Sequence, residues 1–149
     1  MKSLLVVALL ATPALADKEW SLEERGYFES LEKEIQQYAD LTNKACESAI
    51  TFELDKKTFK GIFNSKGKTG LDVFRLDAIT EPFREVRYVC LEGKTQVEAV
   101  KKGITSLRLG FGTPPSQSLK KSTLTVLVPK AGNKRKWADD LKAFIKKQL

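Results

Sequence analysis

The chain has no histidine among its 149 residues, and this absence limits the chemistry it can do. Histidine is the commonest general base near neutral pH and the commonest metal ligand. Ser-His-Asp and Cys-His catalysis are therefore excluded, as are zinc sites that require histidine. Any catalysis would have to use carboxylates, lysine, tyrosine or serine. No residue pattern predicts a metal or cofactor site, so we expect neither.

The glutamates are the main remaining candidates for acid–base chemistry. A carboxylate-based hydrolase needs two acids that face a cleft, one of them with a raised pKa. Glu29, Glu32 and Glu34 fall on the predicted solvent side of a helix. The others lie in a region of ambiguous structure: Glu81, Glu85, Glu92 and Glu98. Because charged residues on helices are usually solvated, the sequence nominates no catalytic pair.

A short run of cations, Lys134, Arg135 and Lys136, stands at the start of a predicted helix. The free amides and the dipole of a helix N-terminus attract anions, so these three residues are a candidate anion-binding site. The alternative is ordinary solvated charge, neutralised by Asp139 and Asp140 one turn later. The formal net charge of +7 is compatible with either interpretation.

Nucleic-acid binding is the stronger version of this idea, and we do not expect it. It would need many phosphate contacts with aromatic residues interleaved for stacking. The chain has one short basic run, and the neighbouring Trp137 begins the apolar face of the same helix.

The segment Gly67-Lys68-Thr69 is similar to the end of a phosphate-binding loop, but the spacing is wrong. The G-x-x-x-x-G-K-[ST] motif requires glycine at position 62, where this chain has Ile62. Gly61 is one position too far away for a loop of fixed length. We therefore exclude a nucleoside triphosphatase with this motif.

The N-terminus has the three parts of a secretory signal peptide. Lys2 is followed by the apolar run of residues 4–11 and by Ala14-Leu15-Ala16, an A-x-A cleavage site. We predict a signal peptide at 1–16 and a single domain at 17–149, located in the periplasm or outside the cell. The alternative is an unusually apolar N-terminal strand. No later segment has the composition of a transmembrane helix.

Cys46 and Cys90 are the two cysteines of the chain. An even number in an oxidising compartment favours a disulfide, which would close a loop of about 45 residues and contribute about 4 kcal/mol. Two free thiols or a redox pair are the alternatives, although the spacing is not C-x-x-C.

The periodicity predicts an α+β domain. A capping box at Ser21 and Glu24 starts a long amphipathic helix that reaches Ser48, and a strand follows at 50–54. Residues 71–103 fit either a strand or helices. We favour helices, with Thr80 as the N-cap, Pro82 in the first turn and Gly93 at the end, then a second helix at 95–102.

The C-terminal part predicts two strands and a closing helix. Residues 107–111 and 124–128 alternate between apolar and polar residues, and the turn-rich segment between them favours an antiparallel hairpin. The helix from Asn133 has Trp137, Leu141, Phe144 and Ile145 on one face. We therefore expect about three mainly antiparallel strands, with helices on one face.

These observations favour a small secreted or periplasmic protein without catalytic activity, acting as a binding or interaction module. Its partner would be another protein, an envelope polymer, or a small apolar or anionic ligand. The alternative is a histidine-independent, carboxylate-based hydrolase that acts on cell-envelope material. A cleft with two close carboxylates would favour the enzyme.

Overall fold

The computed structural model describes residues 20–62 and 70–149. The predicted signal peptide at 1–16 and the segment Gly67-Lys68-Thr69 lie outside the described residues. The elements, in chain order, are α1 (Leu22–Cys46), β1 (Thr51–Leu54), a short 3-10 helix (Lys56–Phe59), α2 (Val73–Leu91), α3 (Lys94–Gly103), β2 (Ser106–Gly112), β3 (Ser116–Lys120), β4 (Thr123–Pro129) and α4 (Lys134–Gln148).

The predicted capping box begins α1. The Ser21 hydroxyl accepts a hydrogen bond from the Glu24 amide at 3.1 Å, and the Glu24 carboxylate accepts one from the Ser21 amide at 2.8 Å. The helix buries a stripe that includes Leu31 and Ile35, and it ends where Glu47 adopts a left-handed conformation (φ 49°). The sequence therefore predicted both the start of this helix and the face that it buries.

The segment 71–103 is helical, as predicted, but the predicted start of α2 was wrong. The helix begins at Val73, where the Asp72 carboxylate caps the Arg75 amide at 2.8 Å. Thr80 is a buried residue inside the helix, and its hydroxyl donates to the Leu76 carbonyl at 3.1 Å. Pro82 also lies in the helix interior, although it removes one backbone hydrogen bond. The Thr-Glu-Pro signal resembles a helix start, and packing of the whole segment overrides it.

The described residues form a sheet of four strands in the order β1-β2-β4-β3, so the expected count of three was too low. The predicted antiparallel hairpin was also wrong, because β2 and β4 are parallel neighbours. The segment between them contains β3, which pairs antiparallel with β4. Since β1 is parallel to β2, the sheet is mixed, and one of the three strand pairs in the described part of the chain is antiparallel.

The apolar face of the sheet packs against the helices, and α2 contacts β2 and β4, the two central strands of the sheet. Phe52 of β1 meets Phe83 of α2 edge to face, with ring centroids 5.8 Å apart. On either side of α2 lie α1 and α4. Cys46 and Cys90 form the predicted disulfide, which joins the C-terminal ends of α1 and α2.

The other face of the sheet carries mainly polar or small side chains, with the half-buried Leu127 as an exception. Thr51, Glu53 and Arg108 are exposed on this face, while Thr123 and Thr125 are half-buried. The architecture is thus one layer of helices on one mixed sheet, an α+β fold. It leaves β1 at one edge of the sheet, beside α1.

Candidate functional site

Two adjoining depressions, of about 850 and 970 Å³, lie where α1 approaches β1. They have four lining residues in common, Glu29, Glu53, Leu54 and Lys56, so they form one continuous surface feature. We call this feature the edge groove. One wall consists of α1, and the other consists of β1 and the 3-10 helix that follows it.

The backbone of β1 directs half of its hydrogen-bonding groups into the edge groove. The Thr51 amide donates to the Thr105 carbonyl at 3.2 Å, and the Asp55 amide donates to the Leu109 carbonyl at 2.7 Å. In a parallel ladder, alternate residues bond to the same neighbour. Residues 51, 53 and 55 therefore face β2, and the N–H and C=O groups of Phe52 and Leu54 point away from it. Among the described residues, no strand pairs with this side of β1.

Asn43 closes one end of this open edge. Its side-chain amide donates to the Ile50 carbonyl at 3.0 Å, and its side-chain oxygen accepts from the Ile50 amide at 2.8 Å. The Ser48 hydroxyl also donates to that oxygen, at 3.0 Å, and helps to hold the side chain in place. Asn43 thus makes the two hydrogen bonds that a neighbouring strand would otherwise make. At Ile50 the edge is hydrogen-bonded, whereas the outward backbone groups of Phe52, which is half-buried, and of Leu54, which is buried, have no hydrogen-bond partner among the described residues. We call this part of the edge open in that sense.

The 3-10 helix closes the other end of the groove. The Thr58 hydroxyl donates to the Asp55 carbonyl at 2.7 Å and accepts from the Phe111 amide at 3.0 Å. This close approach requires Gly110, since a Cβ there would lie 2.6 Å from the Thr58 hydroxyl oxygen. The open edge is therefore a short, bounded segment between two fixed ends.

The floor beneath the groove is aromatic. Trp20 packs edge to face on Phe28 at 5.0 Å between ring centroids, and Phe28 packs on Phe59 at 5.3 Å. Phe59 in turn contacts Phe111 of β2 at 5.1 Å. Such edge-to-face pairs add to the stabilisation from buried area, so these contacts join the floor of the groove to the core.

The charges in the edge groove are only partly paired. Lys56 forms an ion pair with Glu32 at 3.3 Å, and Arg108 forms one with Asp55 at 3.3 Å. Glu29 and Glu53 are exposed, and neither has an ion pair within the described part of the chain. The groove therefore has two carboxylates free to meet a cation.

No family model, curated protein or solved structure matches this chain.

A second cluster of charges lies between α2 and α4. Glu81 and Glu85 are both buried, at 4% and 5% exposure, one helical turn apart on α2. Arg84 pairs with Glu81 at 2.9 Å, and Lys134 of α4 lies between Asp77 at 3.1 Å and Glu81 at 3.8 Å. We refer to these residues as the α2–α4 cluster.

The environment of Glu85 favours its protonated form. Burial raises the pKa of Glu85 to about 7, and a hydrogen bond to Glu81 and the charge of Glu81 act in the same direction. Lys142 lowers this pKa and Asp139 raises it, both more weakly. A buried carboxyl with a pKa near neutrality is what a general acid requires. However, neither Glu81 nor Glu85 lines either depression.

The structure separates the three cations of the predicted anion site. Lys134 is half-buried and engaged with α2, whereas Arg135 and Lys136 are exposed. Asn133 caps the helix, and its side-chain oxygen accepts from the Lys136 amide at 3.1 Å. Only two of the three side chains are thus available to an external anion.

Further along α4, the lysines pair with the end of α2. Lys146 and Lys142 contact the Glu92 carboxylate at 2.8 and 3.0 Å. Hydrogen bonds from these two lysines lower the pKa of Glu92. These ion pairs connect α4 to the end of α2 at the surface, where such pairs contribute little stability.

The described residues contain neither a cluster of metal ligands nor a membrane-spanning helix. No group of three or more His, Cys, Asp or Glu side chains is placed to hold a metal ion. No described helix is long and apolar enough to span a membrane.

Proposed function

We propose that this chain is a non-catalytic binding protein of the periplasm or extracellular space, and that the edge groove is its binding surface. The observation that carries the proposal is the open edge of β1, where unpaired backbone groups lie beside the exposed carboxylates of Glu29 and Glu53. A groove with a few fixed polar groups is the usual form of a binding site. The partner is another protein, an envelope polymer or a small ligand that fits there.

Two features support the proposed compartment. The predicted signal peptide at 1–16 would direct the chain to the secretory pathway. The disulfide between Cys46 and Cys90 is compatible with an oxidising environment, where such bonds persist.

Site-specific photo-crosslinking in cells that make the protein would test this proposal. A photoreactive amino acid replaces Thr51, an exposed residue of the groove whose side chain the proposed binding does not use, and in a matched variant it replaces Glu98, an exposed residue of α3. We expect specific adducts from position 51 and none from position 98. Equal labelling at both positions, or labelling at position 98 alone, would place the binding surface elsewhere.

The α2–α4 cluster is the observation that favours the alternative function, a carboxylate-based hydrolase. Glu81 and Glu85 are close together, and Glu85 has the raised pKa of a general acid. Because the pair lies outside both depressions, we expect no turnover of peptidoglycan or of simple glycosides. Turnover by the wild-type protein that is lost in Glu85→Gln would establish the hydrolase instead.

The basic patch of Lys134, Arg135 and Lys136 remains a candidate for anion binding. If it binds phosphate or a polyanion, these ligands will raise the melting temperature of the wild-type protein, and will raise it less in an Arg135→Ala, Lys136→Ala variant, which keeps the ion pairs of Lys134 with α2. An unchanged melting temperature in the wild-type protein would exclude this role.

A further inference from the structure

We propose that the edge groove binds an extended segment of another polypeptide, which adds to β1 as a fifth strand of the sheet. This inference rests on the proposed binding function and specifies the class of partner. The segment alternates in character, with a lysine or arginine opposite Glu53 and apolar residues on either side.

The backbone of β1 is the first reason. The N–H and C=O groups of Phe52 and Leu54 point into the groove in the geometry that an extended chain satisfies. Strand addition uses such main-chain hydrogen bonds for affinity and alternate side chains for specificity. A sugar or a small ligand would not repeat this spacing of donors and acceptors.

The position of Asn43 is the second reason. At Ile50 its side-chain amide already makes the donor and acceptor bonds of an added strand. An exposed strand edge invites uncontrolled pairing, and proteins limit it by shortening or covering the edge. Here the edge is covered up to Ile50, while the next two outward-facing residues remain open. The opening therefore fits a segment of a few residues.

A second copy of this chain is a less suitable occupant. Two copies could pair their β1 strands antiparallel. Both Phe52 and Leu54 use their outward backbone groups only if Phe52 of each copy lies opposite Leu54 of the other, which places the two-fold axis at Glu53. In that register Glu53 would stand directly opposite the partner's Glu53, and like charges in this position are destabilising. A foreign segment with a cation at that position turns the repulsion into attraction.

The two faces of the sheet determine the rest of the pattern. Glu53 points to the polar face, where its neighbour on β2 is Arg108. Phe52 and Leu54 point to the helix side, where Phe52 packs on Phe83. Side chains of an added strand alternate in the same way, so the residues that flank the cation enter the space beside α1.

A panel of acetylated and amidated hexapeptides tests the inference. Positions 2 and 4 are Val, Leu, Ile or Phe, and position 3 is Lys, Ser or Glu. Binding is measured by fluorescence anisotropy on the complete mature chain. We expect the Lys peptides to bind about tenfold more tightly than the Glu peptides, and Glu53→Lys to reverse this order. Glu98→Lys is the matched control and should leave it unchanged.

Amide hydrogen exchange identifies the binding mode. In the free protein, the amides of Phe52 and Leu54 should exchange fast, while those of Glu53 and Asp55 are already bonded to β2. A bound peptide should slow exchange at Phe52 and Leu54 at least tenfold and leave the other two nearly unchanged.

N-methylation of the peptide provides a control that does not depend on register, because it removes backbone N–H donors. Two versions of the best peptide are made, one methylated at odd positions and the other at even positions. Only one of them should bind.

Several results would overturn the inference. These are no binding across the panel, binding without protection of Phe52 and Leu54, or equal binding of both N-methylated peptides. Concentration-dependent protection of those two amides without peptide would show that a second copy occupies the edge. Crosslinking from position 51 to a polysaccharide or lipid would keep the proposed binding function and reject the polypeptide partner.

Discussion

The buried acid Glu85 gives the sharpest prediction, namely that Glu85→Gln removes most of the pH dependence of stability between pH 5 and 8. Glutamine has nearly the same shape as glutamate and still forms hydrogen bonds, but it carries no charge. In the wild-type protein, burial and the neighbouring Glu81 raise the pKa of Glu85 to about 7. The substitution therefore fixes the side chain in a neutral form like the one that the folded state prefers.

The sign of the effect follows from proton binding. Between the ordinary pKa of 4.5 and the raised value of about 7, the folded state holds a proton on Glu85 that the unfolded state has lost. The free energy of unfolding therefore falls as the pH rises through this window. A difference of roughly 2.5 pKa units corresponds to at most about 3 kcal/mol, at about 1.4 kcal/mol per unit.

Urea unfolding at pH 5, 6, 7 and 8 measures this change. Because the chain has no histidine, no histidine titration contributes to the pH dependence of stability in this range. We expect the wild-type protein to lose about 2 to 3 kcal/mol between pH 5 and pH 8, and Glu85→Gln to lose much less. At pH 8 the variant should be the more stable of the two proteins.

Glu98→Gln is the matched control, since Glu98 is an exposed glutamate on α3. Its pH profile should be parallel to that of the wild-type protein. If wild-type stability were constant or increased from pH 5 to pH 8, or if Glu85→Gln kept the wild-type slope, the assignment of a neutral buried Glu85 would be refuted.

Three further predictions concern stability. Ser122→Gly should stabilise the protein by about 1 kcal/mol, because Ser122 has a left-handed backbone (φ 62°) in the β3–β4 turn. The control Ser118→Gly, inside β3, should destabilise the protein. The opposite order of the two variants in urea unfolding would contradict this prediction. Gly26→Ala should raise stability by about 0.5 to 1 kcal/mol, because Gly26 lies inside α1 with nothing within 4 Å of an added Cβ; a lower melting temperature would show that the space is needed. Reducing the disulfide, which links residues 44 positions apart, should cost about 4 kcal/mol; unchanged urea unfolding after refolding in reductant would show that the disulfide has no stabilising role.

The sequence predicted those elements of the fold whose signals are local. The capping box at Ser21, the stripe along α1 and the apolar face of α4 all depend on residues within a few turns of one another. The start of α2 was missed because the Thr80-Glu81-Pro82 signal is local too, whereas the real cap is at Asp72. Local signals compete, and packing of Ala78 and Ile79 into the core decides between them.

Strand β3 was missed for a different physical reason. Ser116, Gln117 and Ser118 are polar, so the segment has no alternation and resembles a loop. As an edge strand it pairs only with β4, and its polar residues suit the exposed position. Without β3, the two strands that flank it are expected to form an antiparallel hairpin. With β3 as the return connection, β2 and β4 become parallel.

The edge groove could not be predicted from the sequence, although some of the residues that line it had been considered as candidates. Glu29 and Glu32 were assigned to the solvent side of α1, and both are indeed on the surface. That they stand opposite an open strand edge depends on the position of α1 relative to β1, which tertiary packing sets. The one local signal was Asn43, in the last turn of α1, whose side-chain amide can replace the hydrogen bonds of a neighbouring strand.

The cations at the start of α4 interact unfavourably with the helix dipole, and other interactions must offset this free-energy cost. Each positive charge in the first turn opposes the helix dipole by about 0.3 to 1 kcal/mol when exposed. For Lys134 the compensation comes from α2, where Asp77 lies 57 positions earlier in the chain. The buried Glu81 beside it gives the N-terminus of α4 a negative neighbour, as a bound anion would. Lys134→Ala should therefore destabilise the protein more than Arg135→Ala, because it also leaves the buried Glu81 with Arg84 as its remaining ion-pair partner. Equal effects of the two substitutions on urea unfolding would show that the ion pair to α2 contributes nothing.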